Sequence, residues 1–289
     1  MKQPYGSNRS HPFSFLFLIG LLSLGLVAPA NTAWAHKDED HHPPDHAEHD
    51  LAKASQNPVS SLISVPFENN YNVDAGPYDK AQNVINIKPV VPISLTKDWN
   101  LINRVILPVI SQPRGFEGRR NGLGDATYQA FFTPAKTGKW IFGAGPQLQI
   151  PTHTNDSLGT KKWGAGPTAV VLTMPGHWVT GMLASQMWDF GGPSDEPDIN
   201  LTVLQPFANY NIGKTGWYLS SAPVITANWD AKSGDEWNVP LGGGVGKIMH
   251  WGKQAVNMKL AGYGNVVRPT YGANYNVQLS LTFMFPKGK

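Results

Sequence analysis

Two stretches of this 289-residue sequence carry residue types that could do chemistry. The first, residues 36–50, reads HKDEDHHPPDHAEHD, so that His36, His41, His42, His46 and His49 alternate with carboxylates. Imidazole nitrogens beside carboxylate oxygens suit Zn²⁺, Cu²⁺ or Ni²⁺, and these five histidines are the candidate metal ligands. They lack the fixed spacing of a closed site. The expectation is therefore a solvated tail that binds divalent metal weakly, with no resident cofactor; a selected metal-binding role is the alternative. The second stretch, Pro151-Thr152-His153-Thr154-Asn155-Asp156, is where histidine, hydroxyls, amide and carboxylate cluster.

A hydrolytic site would need a nucleophile within hydrogen-bond reach of a base. The outer-membrane phospholipase, itself a twelve-stranded barrel, uses a His-x-Ser arrangement, and here position 155 is Asn. His177 and His250 fall in turns on the opposite side. The run Gly242-Gly243-Gly244-Val245-Gly246 is followed by neither a Lys-Ser/Thr pair nor a helical pattern, so it is not a phosphate loop. It reads instead as a place of close strand or side-chain packing. Cysteine is absent, which removes thiol chemistry, disulfides and a lipidated N-terminal Cys. No catalytic residue is assigned, and an enzyme is not expected.

The elements that must position these residues begin with an address. Lys2 and Arg9, an apolar run over residues 13–27, and Ala33-Trp34-Ala35 have the order of a secretory signal. The expected layout is a signal peptide over residues 1–35, a disordered His/acidic leader over 36–57, and one β unit over 58–289. Pro43-Pro44 argues against a helix in the leader, whose composition cannot build a core. No later stretch is apolar enough for a membrane helix. The net charge of +3 is too small to argue for nucleic acid, and charged residues at 15% fall below the roughly 25% of soluble domains. Much of the surface is therefore expected not to face water.

From Leu62 onward, β-like runs alternate with two kinds of break. The short kind carries Lys or Gly with a Trp nearby: Trp99, Trp140, Trp178, Trp217 and Trp251, spaced 41, 38, 39 and 34 residues apart. The long, polar kind covers residues 71–81, 111–122, 152–162, 189–198, 230–236 and 268–273. Six long loops and five short turns join twelve strands and leave both termini on the short-turn side. That asymmetry, with aromatic residues at a membrane–water boundary, predicts an all-β fold: a twelve-stranded antiparallel transmembrane β-barrel in the outer membrane, both termini periplasmic.

Alternation then assigns faces. In the last run Val277, Leu279, Leu281, Phe283 and Phe285 oppose Gln278, Ser280, Thr282 and Met284. By the same rule the lumen candidates are Asn86, Lys88, Gln147, Gln149, Gln205, Asn209, Asn257, Lys259 and Gln278. A propeller would need four short strands per repeat where two long ones fit. A soluble sandwich would not need so low a charge content. Proline recurs inside the runs (Pro66, Pro89, Pro92, Pro108, Pro146, Pro167, Pro206, Pro223, Pro240), so many strands are expected to bulge or kink. Such kinks serve curvature, or they form a ring of gaps near a lateral opening for apolar solutes.

Several phrases resemble a bacterial outer-membrane family linked to the meta-pathway of phenol degradation, whose members are labelled transporters or neuromedin U. They are residues 57–67 (NPVSSLISVPF), Asp98-Trp99-Asn100-Leu101-Ile102, Gly122-Leu123-Gly124-Asp125, residues 162–167 (KWGAGP) and residues 239–244 (VPLGGG). The resemblance spans residues 57–287 and implies a barrel with a transport role, without established binding residues. The leading functional expectation is a channel or transporter for small solutes, aromatic or apolar ones included, in contact with outer-membrane lipid. Twelve strands imply a narrow or partly plugged pore. The alternative is a non-transporting interaction protein with a metal-binding leader. Solute and oligomeric state are not readable from the residues.

Overall fold

The computed structural model describes residues 44–114 and 118–286. One helix, α1 (Pro44–Gln56), precedes fifteen strand segments. These are β1 (Ile63–Ala75), β2 (Lys80–Ile87), β3 (Val90–Ser94), β4 (Trp99–Pro113), β5 (Arg119–Leu123), β6 (Ala126–Pro134), β7 (Trp140–Ile150) and β8 (Trp163–Thr173). They continue with β9 (Trp178–Gly191), β10 (Asn200–Asn211), β11 (Trp217–Ser221), β12 (Ile225–Asn228), β13 (Trp237–Trp251), β14 (Gln254–Val267) and β15 (Tyr275–Phe285). Three spans are each broken in two, β2/β3 at Lys88-Pro89, β5/β6 at Gly124-Asp125 and β11/β12 at Ala222-Pro223-Val224, so the segments make twelve spans.

All neighbours are antiparallel, and β15 pairs with β1 from Phe285 opposite Ile63 to Tyr275 opposite Val73. The sheet thus closes on itself, and the closed ladder supplies backbone partners that hydrocarbon cannot. The outer face carries Phe142, Val171, Leu241, Leu260, Val277 and Leu279, all exposed and apolar. An apolar belt of this extent is a lipid-facing surface. Trp99, Trp140, Trp178 and Trp217 each open a strand and Trp251 closes one. All five are exposed at the short-turn end, Trp140 most of all at 59%. Trp163, Trp188, Trp229 and Tyr275 ring the opposite end. An indole has an apolar ring and one N–H donor, and such a boundary suits both.

The short-turn end is built as expected, with connections at 95–98, 135–139, 174–177, 212–216 and 252–253. Gly176 takes φ +54° in one of these turns, where a side chain would be strained. At the other end two expected loops shrink. Residues 71–75, 80–81, 111–113 and 119–122 are strand, because β1–β2 and β4–β5 continue as paired ribbons above the belt, the first with its tip at 76–79 and the second carried on by Arg114 N–H donating to the Gly118 carbonyl. The connections at 151–162, 192–199, 229–236 and 268–274 are the longer ones.

The leader departs from expectation. Residues 44–56, expected to be disordered because of Pro43-Pro44, form α1. Pro44 stands at the first helical position, where its missing N–H would have no intrahelical partner anyway. Asn57 and Pro58 end the helix. Asn57 N–H donates to the Ala54 carbonyl (3.3 Å), and the Asn57 side-chain oxygen accepts from Val59 N–H (3.0 Å). Ala52 is buried against Leu62, Tyr218, Ile248, Ala255 and Met284, so the helix lies in the lumen at the short-turn end. Of the five leader histidines, His36, His41 and His42 lie outside the described residues. His46 and His49 fall on α1, where the backbone alone is described.

Candidate functional site: a half-filled lumen

The lumen has two halves of opposite character. At the short-turn end Val59, just after α1, inserts among Ile102, Phe131, Ile141, Val170, Leu172, Val179, Leu183 and Phe207. These are inward positions of β4 and β6–β10, packed like the core of a soluble domain. Polar contacts fasten the helix to the opposite wall. Gln56 and Asn211 exchange side-chain hydrogen bonds (2.9 and 3.2 Å), Asn257 donates to Ser55 (3.3 Å), and Tyr218 O–H donates to Asn257 (2.7 Å). A Cβ on Gly246 would stand 2.1 Å from the Tyr218 ring, so this member of the glycine run makes room for that side chain.

Toward the long-loop end the lumen is hollow. A cavity of about 480 Å³ is bounded by Glu68, Asn70, Val84, Asn86, Arg104, Gln129, Gln147, Leu201 and Tyr263, among others. It meets a vestibule of about 470 Å³ between the tips at 76–79 and 268–274, with Asn72, Asn238 and Asn265 on both walls. Below it a smaller space of about 200 Å³ separates the cavity floor from α1. Amides dominate the upper wall. Asn276 donates to Asn72, Asn72 to Gln82, Gln82 to Gln112, and Gln112 to the Ser157 carbonyl, a relay across β15, β1, β2 and β4. Gln129 donates to Gln147 (3.1 Å), and Gln147 to the Gln186 carbonyl.

Asn86, Gln147, Gln149 and Gln278 lie on the large cavity, Asn209, Asn257 and Lys259 on the small one, and Lys88 and Gln205 on both. The registers explain this grouping. Glu68 stands opposite both Asn86 and Ser280, and Lys259 opposite Ser280, so inward residues line up across four strands. Sequence reasoning missed Glu68 and Arg104. Each is a charge inside an otherwise membrane-spanning run, and a charge there can face only the lumen. That signal was available.

The floor of the large cavity is charged. Lys88 Nζ lies 2.6 Å from Glu68 Oε1, which also accepts from Asn70 (3.3 Å). Arg104 and Lys259 lie within electrostatic range of Glu68 without touching it.

His153 is placed elsewhere. Its Nδ1 lies 2.6 Å from Asp125 Oδ1, and Asp125 also accepts from the backbone N–H groups of His153 and Thr160. Both side chains are buried. This is a clasp holding the 151–162 connection to the Gly124-Asp125 break.

The prolines gather in groups instead of forming a ring. Pro146 and Pro167 face each other across β7 and β8. A Cβ on Gly166 would stand 1.9 Å from the Gln186 carbonyl oxygen, so the glycine beside this pair lets β8 and β9 close up. Pro206, Pro223 and Pro240 come together differently. β10 pairs with β11 over 208–211 and with β12 over 201–204, in one continuous register. β13 pairs with β11 over 244–247 and with β12 over 237–238, again in one register. Residues 222–224 therefore lack ladder pairs to either neighbour, with the three prolines side by side where N–H donors would be needed. Side chains stitch the spot: Ser221 Oγ donates to the Gly242 carbonyl (2.7 Å), and Ala222 N–H to Tyr263 Oη (3.3 Å). Val224 both lines the large cavity and is 41% exposed.

The family described as "Putative MetA-pathway of phenol degradation" matches residues 70–246. The chain belongs to this family. It is an outer-membrane β-barrel. It is similar in fold to the crystal structure of an outer-membrane channel from Pseudomonas putida F1, at 16% identity and a TM-score of 0.60, over 78% of this chain and 96% of that one. Outer-membrane phospholipase A from Escherichia coli aligns at 11% identity and a TM-score of 0.46, over 78% and 98%. The Salmonella typhi phospholipase dimer with bound calcium aligns at 12% and 0.44, over 82% and 96%. Among curated proteins none matches the chain.

Proposed function

We propose that this family member passes small apolar or amphipathic solutes, aromatic ones included, from the long-loop vestibule into the lumen and out through the wall at residues 222–224. In this reading residues 1–35 direct export, the short-turn end and both termini are periplasmic, and α1 with Val59 closes that end to water. One observation carries it: the hollow half of the lumen is packed shut below but unpaired at its side. The apolar part of the cavity wall, with Leu183, Leu201, Val203, Val224 and Pro240, lies on the side of that opening. A solute leaving there would enter hydrocarbon directly, which suits an apolar body or an acid in its neutral, protonated form and excludes a bare ion. The similarity to an outer-membrane channel from Pseudomonas putida F1 supports transport in general.

The test closes the side wall. Val224 and Pro240 stand opposite each other by register and both line the cavity. The chain has no cysteine of its own, so a Val224→Cys/Pro240→Cys pair gives one disulfide under oxidation. Uptake of a small aromatic solute into cells or vesicles should fall on oxidation and return on reduction. Unchanged uptake with the disulfide fully formed would reject the lateral path.

A further inference from the structure

The floor of the large cavity holds more positive charge than the protein neutralises. Lys88 and Arg104 line it, Lys259 lines the small space directly beneath, and Glu68 is their one carboxylate neighbour among the described residues. Glu68 is committed to Lys88 at 2.6 Å and takes a further hydrogen bond from Asn70. The side chains of Arg104 and Lys259 have no hydrogen bond or ion pair to any described residue. Strand register builds this imbalance: Glu68 and Lys259 flank Ser280 on opposite sides of β15, while Arg104 of β4 stands opposite Val90, just past the Lys88-Pro89 break. Lys88 and Arg104 border both the large cavity and the small space above α1, so the cations sit at the bottom of the hollow half.

Above them the wall is apolar on one side, with Leu183 and Met187 of β9 and Leu201 and Val203 of β10. A guanidinium fork and an ammonium at one end of an apolar slot match a ligand with an anionic head and an apolar body. The volume of about 480 Å³ suits a single ring or a short chain. A bare inorganic anion would use the cations and leave the apolar wall unused; a neutral aromatic would do the reverse.

We propose that the lumen floor is a binding site for small amphipathic carboxylates, the head on Arg104 where the large cavity meets the small space that Lys259 lines, and the apolar body against the wall of β9 and β10. Its place in transport rests on the channel reading above, but the site itself does not. Lys88 already holds Glu68, so two cations are left for the ligand. The charge on the solute would then be held at the floor while its apolar part points toward the unpaired wall at 222–224.

The experiment is equilibrium titration of the purified full barrel in lipid nanodiscs with benzoate, benzyl alcohol, chloride and inorganic phosphate. Benzoate should bind about tenfold or more tightly than benzyl alcohol, the ratio expected when one charge-assisted hydrogen-bonded contact is lost. Arg104→Gln and Lys259→Gln should each weaken benzoate by about the same factor and leave benzyl alcohol unchanged. Glu68→Gln frees Lys88 and should tighten benzoate, an opposite change that damage to the fold would not produce. Equal affinity for benzoate and benzyl alcohol would overturn the proposal. So would chloride or phosphate binding as tightly as benzoate, which would make the floor an ion filter. Flux measured beside binding separates the two readings. Binding without uptake keeps this site and removes the transport role; uptake of benzyl alcohol with no benzoate binding keeps transport and removes this site.

Discussion

The two halves of the lumen use the same twelve strands for opposite ends. Below, inward positions carry Ile102, Phe131, Leu172 and Val179, and α1 with Val59 completes a dry core. Above, the same faces of the same strands switch to Arg104, Gln129, Gln147 and Ser185, and the space stays open. Period-2 alternation decides which residues enter the lumen. What enters at each level decides whether that level is a plug or a passage. Apolar side-chain packing is therefore concentrated in the closed half and open space in the other.

The comparison breaks most visibly under truncation in the closed half. Phe131 is 0% exposed, and Phe131→Ala should cost about 3–5 kcal/mol, read from denaturant unfolding of the barrel in vesicles. Val84→Ala, on the open cavity, should cost about 0.5 kcal/mol or less by the same measurement. Equal losses would mean that the upper cavity is packed in the membrane. Next in size is Gln147→Leu, which leaves the Gln129 amide without its acceptor and should cost about 1–3 kcal/mol. Unfolding within error of the parent would show the amide wall to be solvated throughout.

The smallest effect concerns the outer rim. Asp235 accepts from Thr270 Oγ1 (2.8 Å) and Thr270 N–H (2.7 Å), and these bonds hold its carboxyl below the usual carboxylate range. A depressed value in the folded state stabilises the loop pair above the ordinary carboxylate pKa and loses that contribution as pH falls through the depressed one. Hydrogen-exchange protection in 229–236 and 268–274, taken relative to the intrinsic exchange rate at each pH, should accordingly fall only in acid, and Asp235→Asn should abolish that fall. An unaltered acid response in that variant would assign it to another group.

Much of the barrel was legible because its signals are local. Each Trp beside a short turn, and the strict alternation from Val277 to Phe285, can be counted along the chain. The nine polar positions chosen by alternation face the cavities for the same reason. What was not legible depends on three dimensions. α1 is mostly polar and reads as tail; it is held in place by a lumen that supplies Leu62, Tyr218 and Met284 as partners. Pro206, Pro223 and Pro240 are far apart in sequence, and only the registers of β10, β12 and β13 bring them side by side. The first two outer loops were overestimated because Asn, Asp and Gly in β1, β2 and β5 read as loop, although paired ribbons above a membrane tolerate them. Glu68 and Arg104 were passed over because each is embedded in a run scored for its apolar neighbours.

The central claim is that α1 closes one end of an otherwise hollow lumen, and single-channel recording in planar bilayers tests it most directly. The full barrel should show low conductance. Deletion of residues 44–59, which removes both α1 and Val59, should raise it several-fold in discrete steps while the barrel stays folded, because the helix against Asn211, Tyr218 and Asn257 and Val59 in its apolar cluster together close that end. Equal conductance of the two proteins would contradict the account.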